Sequence, residues 1–597
     1  MNQKNLVPEA EHLIEISWEI CNKVGGIYSV ISTKAKKTKE IYKEYTCIGP
    51  YIEEQAKQEF QEKEPPKEYQ EAFNTIKNKG INARYGTWLI KGQPNTILLE
   101  FSGTINKINE LKQWLWEKHE IDSYKSRWDF EEPMLFSYAA AELIHELEQR
   151  KKQKTALQTH EWMTGFTILF LKNKQTKIGT TFTTHATMLG RSIAGNNQDL
   201  YGTLGKFNPE EKAKELNVED KHTTEKACAH TAETFTTVSQ ITSREAEYIL
   251  SKKPHVLTLN GLDTDLFPSM EEASIRHRKE KKDIQEFLEY MFFPYYSFDT
   301  NNNLTFYLAS RYEFENKGMD IFIKALSKLN QHLKEKNNKI TITALFLIAM
   351  PNQGVKKELL EQKNYYRHIK KYIHQNNKSL PQKIIQHFTN GEKTQPCELF
   401  TEEFIEELKK EIKRFKKQGN PEICTHNIQN EEQDPIINLA KQEGLNNNKE
   451  NPVKIILYPA YLNGADGLFN KEFYELIPGT HLGVFPSYYE PWGYTPLESA
   501  ALGVPAITTD LAGFGRYIQE QEQEEQKGIY IIKRDYKNKE KAIQELYEVF
   551  KEYTEYTHSE RVEHKIQAKK LANTADWKDL IKNYVEAHNH SLKKILI

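Results

Sequence analysis

Cysteine is scarce in this 597-residue chain. The five present, Cys21, Cys47, Cys228, Cys397 and Cys424, are scattered, with no CxxC and no Cys/His group at ligand spacing. An odd, sparse set in a long chain excludes a disulfide framework and a zinc centre, and fits a reducing compartment. A surplus of one charge is missing too: Lys plus Arg number 82 and Asp plus Glu 84. Nucleic-acid binding needs a basic surplus or stripe, so no nucleic-acid partner is expected. Long hydrophobic runs are absent, since the most apolar stretch, ITALFLIAM at 342–350, is far shorter than the ~20 residues of a membrane span. The N-terminus MNQKNLVPEAEHLIEISWE has no apolar run long enough for a signal peptide. The expected setting is the cytoplasm, with no membrane partner. Gly/Ser linkers and internal repeats are also lacking.

What is present is length enough for two or three domains. Apolar runs at 13–18, 45–49, 96–101, 178–184 and 234–238 alternate with amphipathic helical stretches. A second series follows at 303–310, 341–349, 453–458, 481–486 and 504–509. Such alternation predicts an α/β protein, with parallel sheets covered by helices on both faces. The expected division is an N-terminal domain 1–265, a charged connection 266–302, a C-terminal domain 303–555 and closing helices 556–597. Residues 354–418 fit neither half. They are rich in Lys, Glu, Gln and Asn with apolar residues at helical spacing, which predicts a pair of antiparallel helices inserted in the second half.

The chemistry concentrates in Phe485–Pro505, FPSYYEPWGYTPLESAALGVP. HLGVFPS reads as a strand that turns at Pro and Ser. Thr495-Pro496 reads as an N-cap followed by proline at the first helical position. The intervening loop, Tyr488–Tyr494, lies at a strand's carboxyl end, where α/β sheets bind ligands. A helix N-terminus there suits a phosphate. Glu490 in the loop and Glu498 on the helix, eight residues apart, can reach one bound molecule at different points along its length.

EPWGYTPLE is similar to the E-x7-E signature of retaining glycosyltransferases, and GVFPSYYEPWGYTP closely resembles glycogen synthases of the animal and fungal type, glycosyltransferase family 3. The resemblance extends over most of the chain. It includes WEICNKVGGIYSV at 18–30, HEW at 160–162, TTFTTHATMLGR at 180–191, ASRYEFENKG at 309–318 and ADWKDL at 575–580. It implies a GT-B fold, two Rossmann-like domains facing a cleft. It also implies glucosyl transfer from UDP-glucose to the non-reducing end of glycogen or a maltooligosaccharide, with retention and without metal or cofactor.

Within that frame each motif takes a role. Glycines after a strand let backbone approach a ligand; the resemblance makes Gly25 and Gly26, with Lys23, face the donor diphosphate. Arg311 and Lys317 flank the second half's first βα turn, and two cations there would neutralise a diphosphate leaving group. Arg191 is the matching cation from the first half. His185 ends the run TTFTTH, and the resemblance implies that it contacts the donor sugar. Glu161 is similar to an acidic position near the acceptor. Phe473 falls where the family has an aromatic that stacks on the base. Trp492 and Gly493 line the donor loop, N–H groups near Tyr494 and Thr495 hold the distal phosphate, and Glu498 binds the ribose.

Retaining glycosidases use two carboxylates about 5–5.5 Å apart, one a nucleophile. No such pair is evident here, so Glu490 is expected to orient the sugar and favour oxocarbenium character while the acceptor attacks from the leaving group's face. Rival readings are an ADP-glucose-using glucan synthase, a trehalose-phosphate or sucrose-type transferase, and a catalytically silent glucan-binding scaffold. The sequence also departs from the family. Eukaryotic members carry an Arg-rich helix before the DW motif that binds glucose 6-phosphate, whereas HSERVEHKIQAKKLANTADW has one arginine, Arg561. Little activation by glucose 6-phosphate is expected. The chain lacks the long phosphorylated tails of animal members, so a simpler, bacterial enzyme without covalent control is expected. The helical insertion corresponds to the family's subunit-contact region, which implies a homo-oligomer, with a tetramer the candidate.

Overall fold

In the computed structural model, which describes residues 7–390, 399–521 and 527–595, the chain forms two parallel-stranded sheets and a small antiparallel ribbon. Cys397 and part of the helical insertion lie outside the described residues. The first sheet comprises β1 (His12–Ile16), β2 (Glu44–Pro50), β3 (Phe60–Glu62), β4 (Asn82–Trp88), β5 (Asn95–Glu100), β6 (Thr155–His160), β7 (Gly179–Thr184), β8 (Thr234–Thr237) and β9 (Val256–Leu257). Their order is β3-β4-β5-β2-β1-β6-β7-β8-β9, with β3 and β4 antiparallel at one edge. The apolar runs near 13, 45, 96, 178 and 234 all became strands. β6 did not stand out, because TALQTH is wholly buried yet largely polar. Its side chains bond partners on neighbouring elements instead: Gln158 donates to Thr183 Oγ1 at 2.7 Å, and His588 Nε2 lies 3.0 Å from Gln158 Oε1. Buried polar groups stay in a core only when paired in this way.

The second sheet comprises β10 (Asn303–Ala309), β11 (Thr341–Leu347), β14 (Val453–Tyr458), β15 (Leu482–Val484), β16 (Ala506–Thr509) and β17 (Ile529–Ile532), ordered β14-β11-β10-β15-β16-β17 and parallel throughout. The ribbon pairs β12 (Asn352–Val355) with β13 (His426–Ile428). This α/β arrangement of two facing halves is the GT-B fold.

The insertion holds helices Lys357–Asn376, Leu380–Thr389 and Glu402–Phe415. Tyr372 stacks on Phe404 at 5.4 Å, and Tyr366 meets Phe415 at 6.1 Å, so the first and last of these run antiparallel. Between them stands a third helix that the pair reading lacked. The insertion is anchored on the helix Met270–Phe292 through Arg367 and Lys370, both bonded to Glu286. The last helix, Trp577–Ile595, returns to the first sheet, where Tyr42 Oη meets His588 Nδ1 at 2.7 Å. A second tie crosses the other way. Tyr488 and Tyr489, beyond β15, are buried in the first half's core. Tyr489 donates to Glu245 at 3.2 Å, and the Tyr201 N–H donates to Tyr488 Oη at 3.0 Å. Among the described residues no helix is long and apolar enough to cross a membrane.

Candidate active site

The carboxyl ends of β10 and β15 meet because glycine allows it. Gly318 has φ +69°, and a Cβ there would lie 2.3 Å from the Pro486 carbonyl oxygen. This close approach draws the β10 turn against the loop after β15. Asn316 completes the join, accepting the Tyr488 N–H at its backbone carbonyl at 2.8 Å and the Tyr489 N–H at Oδ1 at 3.1 Å. Lys317 is thereby buried and donates to Glu490 Oε2 at 2.8 Å. Arg311 takes the opposite character. Its side chain is 75% exposed and pairs with Glu313 at 3.1 Å.

The helix of the donor loop runs Tyr494–Ala501 and begins earlier than Thr495-Pro496 suggested. Its cap position is Gly493, at φ +111°, and no side chain caps it. The left-handed turn that glycine permits starts the helix before Thr495 can act as its cap. Thr495 instead lines the cleft with Trp492, Gly493 and Tyr494. The loop is held by the Gly513 N–H on the Glu490 carbonyl at 3.0 Å and the Phe514 N–H on that of Trp492 at 2.7 Å.

The opposite wall comes from the first half. Gly25 precedes the helix Gly26–Ile41, and a Cβ on Gly26 would lie 4.0 Å from the Tyr494 ring. Two N–H groups at this helix start, those of Gly25 and Tyr28, donate to Glu19, both at 2.8 Å. Glu19 lines the cleft; its carboxyl is pushed up by burial, against these N–H bonds. Beyond β6, Glu161 takes φ +65°, a sparsely populated conformation for a side-chain-bearing residue. This turn aims its Oε1 at the N–H groups of His185 and Ala186, 3.0 and 3.1 Å away. Burial pushes the Glu161 carboxyl up, although Arg191 opposes it. His185 is buried at the end of β7 with Nε2 2.8 Å from His160 Nδ1. Burial, then His160 and Arg191, hold it well below the usual histidine range, so it is neutral.

These groups share one cleft of about 640 Å³ between the halves. It brings together Glu490, Arg311, Lys317, His185, Arg191, Glu161, Gly25, Gly26, Trp492, Gly493, Tyr494 and Thr495. Three expected residues lie outside its lining. Phe473 packs edge-on to Tyr307 at 6.4 Å. Glu498 is half-buried and accepts from Tyr474 at 2.7 Å, and its carboxyl is pushed up to about 7, chiefly by burial. Lys23 is exposed, but its charge reaches Glu498 and opposes that rise. Glu19 and His160 are lining residues that carried no role in the sequence reading. Glu19 stands six residues before Gly25, a carboxylate at a strand end facing a glycine turn, and that spacing was the available signal. Among the described residues no group of three or more His, Cys, Asp or Glu is gathered to hold a metal ion.

A model of the glycogen synthase family matches residues 15–596. Glycogen (starch) synthase of Neurospora crassa is 33% identical over 590 residues, covering 98% of this chain and 84% of that protein. The liver glycogen (starch) synthase of Homo sapiens is 33% identical over 587 residues, covering 98% and 83%. Among solved structures, the catalytic domain of starch synthase IV from Arabidopsis thaliana, bound to ADP and acarbose, has a TM-score of 0.51 at 12% identity, covering 98% of this chain and 100% of that one. That likeness concerns the fold alone.

Proposed function

Because the chain belongs to the glycogen synthase family, we propose that it elongates an α-1,4-glucan with glucose from UDP-glucose, with retention at the transferred carbon and without metal or cofactor. The observation that supports this reading most is the meeting of Lys317 and Glu490 with His185 and Arg191, from opposite halves, around one cleft. Glu490 binds and orients the sugar and favours oxocarbenium character. Arg311, Lys317 and Arg191 stabilise the charge on the departing diphosphate, whose oxygen helps remove the acceptor's proton. Preorganised donors of this kind are each worth roughly 10²–10³ in rate. His185 contacts the donor sugar and Glu161 lies toward the acceptor. Gly25, Gly26 and the N–H groups of Tyr494 and Thr495 take the phosphates, Glu498 the ribose and Phe473 the base.

The enzyme works in the cytoplasm, a setting supported by four free, buried cysteines among the described residues. A homo-oligomer is supported by the exposed Ile385 and Phe388 on the insertion. Phe473, assigned to the base, lies outside the cleft lining and packs against Tyr307. A donor panel of UDP-, ADP- and GDP-glucose against glycogen tests the reading, with UDP-glucose expected to be preferred. Preference for ADP-glucose overturns the base assignment. Transfer to glucose 6-phosphate or fructose in place of maltooligosaccharide overturns the acceptor.

A further inference from the structure

Behind His185 runs a buried row of groups that the transfer chemistry leaves unused. Glu15 lies in β1 and is fully buried, with Lys34 Nζ 2.6 Å from its Oε2. The Tyr45 hydroxyl also donates to it. His160 Nε2 stands 2.7 Å from Glu15 Oε1, and His160 Nδ1 stands 2.8 Å from His185 Nε2. His185 faces the cleft, and its Nδ1 takes no hydrogen bond from the described residues.

The protons in this row follow from acceptor counting. Burial raises the Glu15 carboxyl, but Lys34 and His160 outweigh it and hold the group well below the usual range. It is therefore a carboxylate, able only to accept, so His160 Nε2 carries a hydrogen. Burial keeps His160 neutral, against the pull of Glu15, which leaves its Nδ1 as a lone pair. Two lone pairs cannot face each other at this distance, so His185 Nε2 carries the next hydrogen. A neutral imidazole has only one, and His185 Nδ1 is bare.

We propose that Lys34, Glu15 and His160 are positioning residues that fix His185 in the Nε2–H form, so that its bare Nδ1 accepts a hydroxyl of the donor sugar. This rests on the placement of His185 against that sugar. The arrangement suits the reaction, because positive charge grows on the sugar ring in an oxocarbenium-like transition state. A neutral acceptor binds the hydroxyl without setting a second cation beside that charge, as an imidazolium would. The charge that keeps Glu15 ionised stays on Lys34, with Glu15, His160 and His185 between it and the sugar.

Imidazole ¹⁵N spectra of the histidine-labelled enzyme test the tautomer directly, with the His185 signals assigned by H185Q. The expected result is a protonated Nε2 and a bare Nδ1 in the unmodified protein; a protonated Nδ1 overturns the proposal. Two substitutions at His160 test its consequence. In H160Q the amide reaches Glu15 but leaves nothing at His185, and kcat is expected to fall roughly tenfold. In H160N the amide oxygen takes the place of Nδ1, and most of that loss is expected to be recovered. Equal kcat for H160N and H160Q overturns the relay. Full activity in H185Q overturns the placement of His185 itself, a failure distinguishable from a wrong tautomer because the spectra are read on the unmodified enzyme.

Discussion

Lys317 Nζ and Glu490 Oε2, on different βα connections of the second half, stand 2.8 Å apart. Each limits what the other can do alone. The lysine's charge is shared with a carboxylate assigned to the sugar, so a diphosphate entering the cleft competes with Glu490 for it. Removing the carboxylate's charge therefore has opposite effects on binding and on transfer. In Glu490→Gln, transfer is expected to fall by about 10²–10³. Nucleoside diphosphate binding, measured by calorimetry, is expected to stay equal or tighten as Lys317 is released. Binding and turnover lost together would sink the assignment, since that pattern belongs to a collapsed site.

Arg311 separates catalysis from stability. Its side chain is 75% exposed and its ion pair with Glu313 lies at 3.1 Å. Exposed pairs of that kind are worth about 0–1 kcal/mol. Arg311→Ala should leave the thermal unfolding midpoint in place while kcat/KM falls by about 10² or more. A lowered midpoint with unchanged kcat/KM would assign the residue to the fold.

Glu498 predicts a pH dependence. Burial brings its carboxyl up to about 7, with the Tyr474 hydroxyl and Lys23 opposing. It is protonated below that value and ionised above it, and ribose hydroxyls donate more strongly to the ionised form. The KM for donor should therefore decrease as pH rises through about 7, by roughly three- to tenfold. Glu498→Gln should raise KM at high pH and flatten the profile. A wild-type KM constant from pH 6 to 8, measured at saturating glucan, contradicts the ribose role.

The alternation of apolar runs carried most of the parallel sheets, because Val, Ile, Leu and Phe fill strands covered on both faces. It missed β6, whose buried Gln158, Thr159 and His160 are satisfied by partners far along the chain, among them His588, Thr181 and Glu15. Such pairing has no local signature. The helix start at Gly493 was hidden in a similar way, since Thr495-Pro496 matches the local rule while the left-handed glycine belongs to the loop geometry. The site residues within recognisable motifs were legible. Tyr489, adjacent to Glu490 and reaching Glu245 in the other half, was not. Its neighbours in sequence gave no sign that it leaves its own domain.

Arg561 is accompanied by more cation than its own helix suggests. The helix His558–Asn573 also carries Lys565, whose amine is brought down to about 7 by burial and by the like charges of Lys281 and Arg561. Lys281, on the helix Met270–Phe292, is lowered by burial and by Arg561, with only Asp299 opposing. Like charges held together with Asp299 as the carboxylate set against them favour an anion, which would bring the Lys565 amine back toward its protonated form. Glucose 6-phosphate is therefore expected to raise the unfolding temperature, and Lys281→Ala to abolish that rise. Two ammonium groups and one guanidinium offer a single planar fork, too few to fix a phosphate in one pose. Binding is thus expected with little stimulation of transfer at saturating UDP-glucose. A many-fold increase in rate overturns this expectation, and no thermal shift in the unmodified protein removes the anion from the site.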